Sequence, residues 1–174
     1  MKRGLENLLN GTKNGKNNNN GNSLKVKLNL NSSDTEMFIA FAKSSIEQNI
    51  INTVKANPNI TFYLFFPPYS ICWWDSINQE GPGVLQRRID LEQLTIELLL
   101  DYNNVKLFSF FNNFELICNL NNYMDSIHYI QDVNSQILVW MKNGKYQLTK
   151  DNYKKYLEEI SVFYNNYNYD QLFK

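Results

Sequence analysis

The runs ITFYLFF at residues 60–66 and VKLFSFF at residues 105–111 decide the fold of this chain. Continuous apolar runs rich in aromatic and β-branched residues are typical of strands buried on both faces, as in parallel sheets. Pro67 and Pro68 end the first run, because proline has no amide N–H to donate to a sheet. We therefore predict two buried strands of one sheet.

The connection between these strands contains a predicted helix over residues 84–101, whose apolar side chains recur at helical spacing. A strand, a crossover helix and a second strand favour an open α/β sheet with parallel strands. Ligands of such sheets bind beyond the carboxyl ends of the strands. Two loops, residues 67–74 and 112–128, qualify for that position.

The rest of the chain divides into a polar leader and a domain. Residues 10–23, NGTKNGKNNNNGNS, cannot bury apolar surface, so residues 1–23 are predicted to be a low-complexity leader or loop and residues 24–174 the domain. Within the domain, we predict a half-exposed strand at 24–30, helices at 32–56, 133–141 and 149–163, loops at 69–83 and 112–130, and a surface tail at 163–169.

Composition excludes several classes of protein. The 174 residues carry 17 basic and 17 acidic side chains, so no net charge attracts nucleic acid or anionic lipid. No apolar run reaches the about 20 residues that cross a bilayer. Cys72 and Cys118 make neither a disulfide scaffold nor a zinc motif, so we expect no metal and no cofactor. Without an export signal in view, the cell envelope and the cytoplasm both stay open as locations.

The single histidine, His128, lies three residues after Asp125 in the second loop. A carboxylate at this offset can accept the imidazole Nδ1 proton, which leaves Nε2 free to act as a general base towards a hydroxyl nucleophile. The alternative is a helix-capping aspartate beside a partly buried histidine. The position of the pair beyond a predicted strand and before a predicted helix supports the catalytic interpretation as much as the alternative, so both stay open.

Three segments together resemble a known family. These are FYLFFPPYSICWW at 62–74, NVKLFSF at 104–110 and NNYMDSIHYIQDVNSQIL at 121–138. They are similar to the C-terminal half of SGNH-hydrolase-like proteins of the GDSL esterase/lipase superfamily, of the bacterial polysaccharide-associated type. The matching positions are Pro67, Pro68, Tyr69, Ser70, Asp125, His128, Tyr129 and Asn134.

The resemblance implies a three-layer flavodoxin-like parallel sheet flanked by helices, incomplete at its N-terminal side. It also implies a Ser-His-Asp ester hydrolase or O-acyltransferase acting on acylated carbohydrate, in which Asp125 orients His128 and His128 activates a serine. Aromatic side chains near such a site suit stacking on sugar rings, although they can equally cover the sheet edge. The predicted substrate-binding residues are Pro68, Tyr69, Ser70, Trp73, Trp74 and Tyr129.

The chain departs from the family pattern at the nucleophile, because no strand-Gly-Asp-Ser-helix unit lies upstream. Ser23 follows a polar tract and precedes a strand, which is the wrong context for a rigidly held nucleophile. Ser70 lies on a strand-end loop and could face His128, but the family resemblance implies a structural or pocket serine at this position. We therefore expect the later part of a larger domain, whose exposed sheet edge favours self-association.

Two other interpretations stay open. The chain is a truncated or degenerate domain that binds a glycan or a protein, or it is a plain α/β domain with an accidental Asp-x-x-His pair. Cys72 is expected to be a small buried residue, and Arg87-Arg88 and Glu158-Glu159 are expected to be solvated helix faces.

Overall fold

A computed structural model describes residues 32–173, so the predicted leader 1–23 and the predicted strand 24–30 lie outside the described residues. The strands are β1 (Phe62–Phe66), β2 (Val105–Ser109) and β3 (Gln147–Leu148). The α-helices are α1 (Ser32–Ile46), α2 (Asn52–Ala56), α3 (Ile71–Gln79), α4 (Val84–Leu99), α5 (Phe114–Cys118), α6 (Gln131–Lys142) and α7 (Tyr153–Asn166). A π-helical turn (Glu47–Ile51) joins α1 to α2, and short 3-10 helices cover Leu120–Asn122 and Tyr169–Phe173.

The two apolar runs form the centre of a small mixed sheet in the order β1-β2-β3. β1 pairs with β2 in parallel, from Phe62 opposite Val105 to Phe66 opposite Ser109. The intervening chain contains α3 and α4, so the predicted strand-helix-strand crossover and the α/β class are confirmed. β3 pairs antiparallel with β2 and was not predicted, because two residues are too few to show a period.

The main core lies on one face of this sheet. Leu64 and Phe66 of β1 and Leu107 of β2 point towards it, since alternate residues of a strand share a face. Helices α3, α4 and α7 cover this face with the buried side chains Ile71, Trp74, Leu85, Ile89, Ile96, Leu99, Tyr156, Leu157, Ile160 and Tyr164. The predicted helical segments at 32–56, 84–101, 133–141 and 149–163 are confirmed, with ends shifted by a few residues.

The opposite face of the sheet is covered unequally. Phe108 and the following Phe110 pack against Val133, Ile137 and Met141 of α6. The neighbouring positions on β1, Tyr63 and Phe65, stay 48 % and 39 % exposed. The prediction that the first run is buried on both faces is therefore wrong, because α6 lies over β2 and leaves this face of β1 open.

One predicted loop and the predicted surface tail also differ from the structure. The segment 69–83 contains α3, whereas the segment 112–130 is mostly loop, as predicted, with α5 and the following 3-10 helix as its short helical parts. In the tail, α7 continues to Asn166, and Tyr164 is fully buried. The Tyr164 ring stacks on Trp74 with 3.7 Å between centroids, and its hydroxyl donates to the Phe111 carbonyl at 2.6 Å. Contacts with aromatic residues that are distant in sequence therefore bury part of this tail, although its Asn and Tyr content predicts a surface position.

A buried acid joins three elements of the main core. Glu92 of α4 accepts hydrogen bonds at Oε1 from the Tyr156 hydroxyl of α7 and, at 3.2 Å, from the Ser109 hydroxyl of β2. Burial raises the pKa of Glu92 to about 7, although these hydrogen bonds and the charge of Arg88 act in the opposite direction. Burial disfavours the carboxylate because the core solvates charge poorly.

This buried acid predicts a pH-dependent stability. The native pKa of Glu92 lies above its ordinary 4.5, so the folded chain holds the proton more tightly than the unfolded chain. The contribution of Glu92 to the free energy of unfolding is therefore complete below about pH 4.5 and is lost as the pH rises through 7. Replacing Glu92 by Gln should remove roughly 2–3 kcal/mol of the fall in unfolding free energy between pH 5 and pH 8.

Urea unfolding at the two pH values measures this difference. The control is Glu158→Gln, because Glu158 is an exposed acid of α7. Equal pH dependence in wild type and Glu92→Gln would show that Glu92 does not titrate in this range.

Candidate functional site

Asp125 and His128 are in direct contact. The His128 Nδ1 and Asp125 Oδ2 atoms lie 2.6 Å apart, and the two side chains are 64 % and 50 % exposed, respectively. The other carboxylate oxygen, Oδ1, accepts the backbone N–H groups of Ile127 at 2.9 Å and His128 at 2.7 Å. The carboxylate is therefore held by its own loop while it holds the imidazole.

Partial burial disfavours the charged form of Asp125. The hydrogen bonds from the backbone N–H groups of His128 and Ile127 and the interaction with the His128 side chain outweigh this burial effect, so the pKa of Asp125 is lowered. The carboxylate thus stays ionised and accepts a hydrogen bond from the Nδ1–H group. With the proton on Nδ1, the lone pair of a neutral imidazole lies on Nε2. This is the tautomer that a general base requires.

A hairpin-like loop carries the pair. Tyr123 and Tyr129 form an antiparallel bridge at its base. Within the loop, the Met124 N–H donates to the His128 carbonyl at 2.8 Å. Just outside the bridge, the Ile130 N–H donates to the Asn122 carbonyl at 2.9 Å. Asp125 therefore lies in a turn between two hydrogen-bonded arms, a position where aspartate commonly caps the backbone N–H groups that follow it.

The loop is fastened to the end of β1. The Ser70 hydroxyl donates to the Ser126 carbonyl at 2.8 Å, and the Ser70 N–H donates to the same oxygen at 3.1 Å. The Tyr123 hydroxyl donates to the Pro68 carbonyl at 2.8 Å. The loops that follow the two parallel strands are thus joined next to the Asp125–His128 pair.

A cavity of about 480 Å³ opens beside His128. Its walls are mostly aromatic or aliphatic, with the imidazole and the phenols of Tyr69 and Tyr129 as the ionisable groups. The lining residues are Phe65, Pro67, Tyr69, Met124, Ile127, His128 and Tyr129. A cavity of this size and character suits a small substrate that has an apolar face and a polar reacting group.

Tyr69 and Tyr129, two of the predicted substrate-binding residues, lie on the cavity wall with His128. Trp73 is half-buried and packs on Tyr69, with 4.8 Å between ring centroids. Asn134 is exposed on α6 and does not line the cavity. Phe65, Met124 and Ile127 were not predicted as lining residues. The alternation of side chains along a strand could have indicated Phe65.

The other predicted substrate-binding residues are covered by protein. Trp74 and Ser70 have no exposed surface, and Pro68 is buried. Trp74 packs against Tyr164, Ser70 holds Ser126, and the Pro68 carbonyl accepts from Tyr123. As placed, these three residues support the site, and their contact with substrate stays a prediction.

None of the described lining residues is a serine or a cysteine. Ser70 uses its hydroxyl on Ser126, and Ser23 lies outside the described residues. Burial raises the pKa of Cys72 to about 11, which keeps the thiol protonated. The described part of the chain also contains no cluster of three or more His, Cys, Asp or Glu side chains that could hold a metal ion.

Comparisons of the chain with protein-family models, with curated proteins and with solved structures find no match. Among the helices of residues 32–173, none is both long and apolar enough to cross a membrane. The family resemblance therefore depends on the sequence segments alone.

The Tyr123–Pro68 hydrogen bond can be tested by removing one hydroxyl. Tyr123→Phe should lower the unfolding free energy by about 1–3 kcal/mol, because it leaves the buried Pro68 carbonyl without its donor. The control is Tyr129→Phe, whose hydroxyl makes no hydrogen bond to the described residues. Denaturant unfolding compares them, and an equal effect of both substitutions would contradict the anchoring role of Tyr123.

Proposed function

We propose that this chain carries the Asp-His half of an SGNH-type serine ester hydrolase or O-acyltransferase that acts on acylated carbohydrate. The observation that carries the proposal is the 2.6 Å contact between Asp125 and the Nδ1 atom of His128, on the wall of a cavity. Hydrolases of this type need a histidine held in one tautomer beside a site for the acyl group.

The proposed fold is the three-layer flavodoxin-like arrangement. Its support is the parallel pairing of β1 and β2 and the presence of helices on both faces of the sheet. Within residues 32–173, the outer edge of β1 pairs with no strand. An unpaired edge is a place where a further strand or a second molecule can add, which supports self-association as part of the proposal.

In the proposed reaction, a hydroxyl group attacks the ester carbonyl carbon while His128 Nε2 takes its proton. The tetrahedral intermediate then releases the alcohol, which receives that proton from the imidazolium. Water or an acceptor hydroxyl attacks the acyl group in a second round, with the same proton transfers. Asp125 stabilises the positive charge that His128 acquires each time.

The proposed nucleophile is a serine, and no serine is among the described lining residues of the cavity. The proposal therefore assigns the attacking hydroxyl to a residue outside that lining. Tyr69, Tyr129 and Phe65 supply aromatic surface, which suits contact with a sugar ring or an acyl chain.

The second candidate function is a non-catalytic domain that binds a glycan or a partner protein. The lack of a serine or cysteine on the described cavity wall favours it. In that case the aromatic wall binds its ligand, and His128 contributes a hydrogen bond without transferring a proton.

An esterase assay on p-nitrophenyl acetate and an O-acetylated oligosaccharide separates the two functions. His128→Ala should lower kcat/KM by about 10²- to 10⁴-fold, because it removes the general base. Asp125→Asn should lower it as well, since the amide no longer holds the Nδ1–H tautomer.

The matched control is Asp132→Asn, because Asp132 is an exposed aspartate at the start of α6. It should leave the rate unchanged. Equal rates in wild type and His128→Ala would end the catalytic interpretation. Retained oligosaccharide binding in that case would support the binding domain.

A further inference from the structure

A second cavity opens at the carboxyl end of β2, and it shares no lining residue with the His128 cavity. Its volume is about 350 Å³, and most of its wall consists of polar or charged side chains. Ser109, the last residue of β2, lies in this wall together with Asn112, which follows the strand. Helix α7 supplies Lys155 and Glu159. The cavity therefore lies where ligands of open α/β sheets bind.

Lys155 and Glu159 bring opposite charges to one wall of this cavity. They lie four residues apart on α7, which is about 6 Å along the helix axis. None of the ion pairs among the described residues includes either side chain. Glu159 is exposed, as the sequence predicts, but it lines the cavity as well. Each charge is therefore free to meet a ligand group of the opposite sign.

The acidic end of the cavity is fixed by an amide. The Asn112 Nδ2 atom donates to Glu159 Oε2 at 3.3 Å, which holds the carboxylate at the wall. The Asn112 Oδ1 atom is buried and has no hydrogen-bond partner among the described residues, so no donor offsets its partial negative charge. A carboxylate and an unpaired amide oxygen on one wall favour a cation at this end.

The other charged lining group is the ammonium of Lys155, which is exposed and carries three hydrogen-bond donors. A carboxylate is the ligand group that complements it, because hydrogen bonds between ionised partners are the stronger ones. The Gln147 amide and the Tyr146 phenol on the same wall offer neutral donors and acceptors. The lining thus suits a small polar molecule that carries one charge of each sign.

We propose that this cavity binds a small zwitterion of the α-amino acid class. The ammonium group of the ligand donates to Glu159, and its carboxylate accepts from Lys155 Nζ. With a charge-assisted hydrogen bond of about 2.8 Å at each end, a molecule whose two charged groups share one carbon bridges the two side chains. A ligand with a single charge leaves one of them without a partner. The site is independent of the proposed hydrolase function, because the two cavities share no residue.

Calorimetric titration of the full chain with L-serine, L-asparagine and L-glutamine tests the proposal. Their short polar side chains suit the polar wall and the volume of the cavity. We expect at least one of them to bind at least tenfold more tightly than its N-acetyl derivative, which lacks the ammonium, and than its C-terminal amide, which lacks the carboxylate. The absence of this preference for all three amino acids would overturn the proposal.

Substitutions on α7 assign each ligand charge to its partner. Lys155→Gln and Glu159→Gln should each weaken amino acid binding at least tenfold. Lys155→Gln should also remove the preference over the amide, and Glu159→Gln the preference over the N-acetyl derivative. The matched controls are Lys154→Gln and Glu158→Gln, because these neighbours are exposed on α7 and do not line the cavity.

Both controls should bind like the wild type, and thermal unfolding confirms that each variant is folded. Losses in the controls equal to those in Lys155→Gln and Glu159→Gln would contradict the site, as would unchanged binding in the latter two. His128→Ala should retain amino acid binding, and a loss there would contradict the assignment to this cavity.

Discussion

The parallel pairing of β1 and β2 is the constraint on which the site depends. Because Phe66 lies opposite Ser109, both strands end at the same edge of the sheet, and the chain leaves both ends towards the same side. Ser70 can then reach the Ser126 carbonyl, although 56 residues separate them along the chain. This contact and the Tyr123–Pro68 hydrogen bond hold the loop in which Asp125 orients His128.

The two adjacent tryptophans of α3 have different roles because they point in different directions. Successive helical residues point about 100° apart, so the adjacent Trp73 and Trp74 of α3 face different surroundings. Trp74 enters the core and stacks on Tyr164, while Trp73 stays half-buried between Tyr69 and Arg88. One helix thus anchors the core and extends the aromatic surface beside the cavity.

The sequence predicts the parallel pairing of β1 with β2 and the Asp125–His128 contact, because both depend on local patterns: apolar runs, helical spacing and a three-residue offset. It predicts poorly what depends on distant partners. The open face of β1 follows from where α6 packs, and the burial of Trp74 follows from Tyr164. The hydrogen bond of Ser70 to a backbone carbonyl leaves no trace in composition, so its structural role could not be separated from a catalytic one.

The central claim is that Asp125 holds His128 as a base with a free Nε2 atom. His128 is the only histidine of the chain, so nitrogen-15 NMR of the imidazole reports on it without overlap. At a pH where the imidazole is neutral, we predict a protonated Nδ1 and an unprotonated Nε2 in the wild type, and a loss of this preference in Asp125→Asn. A wild-type imidazole with its proton on Nε2, or the same tautomer mixture in both proteins, would contradict the account.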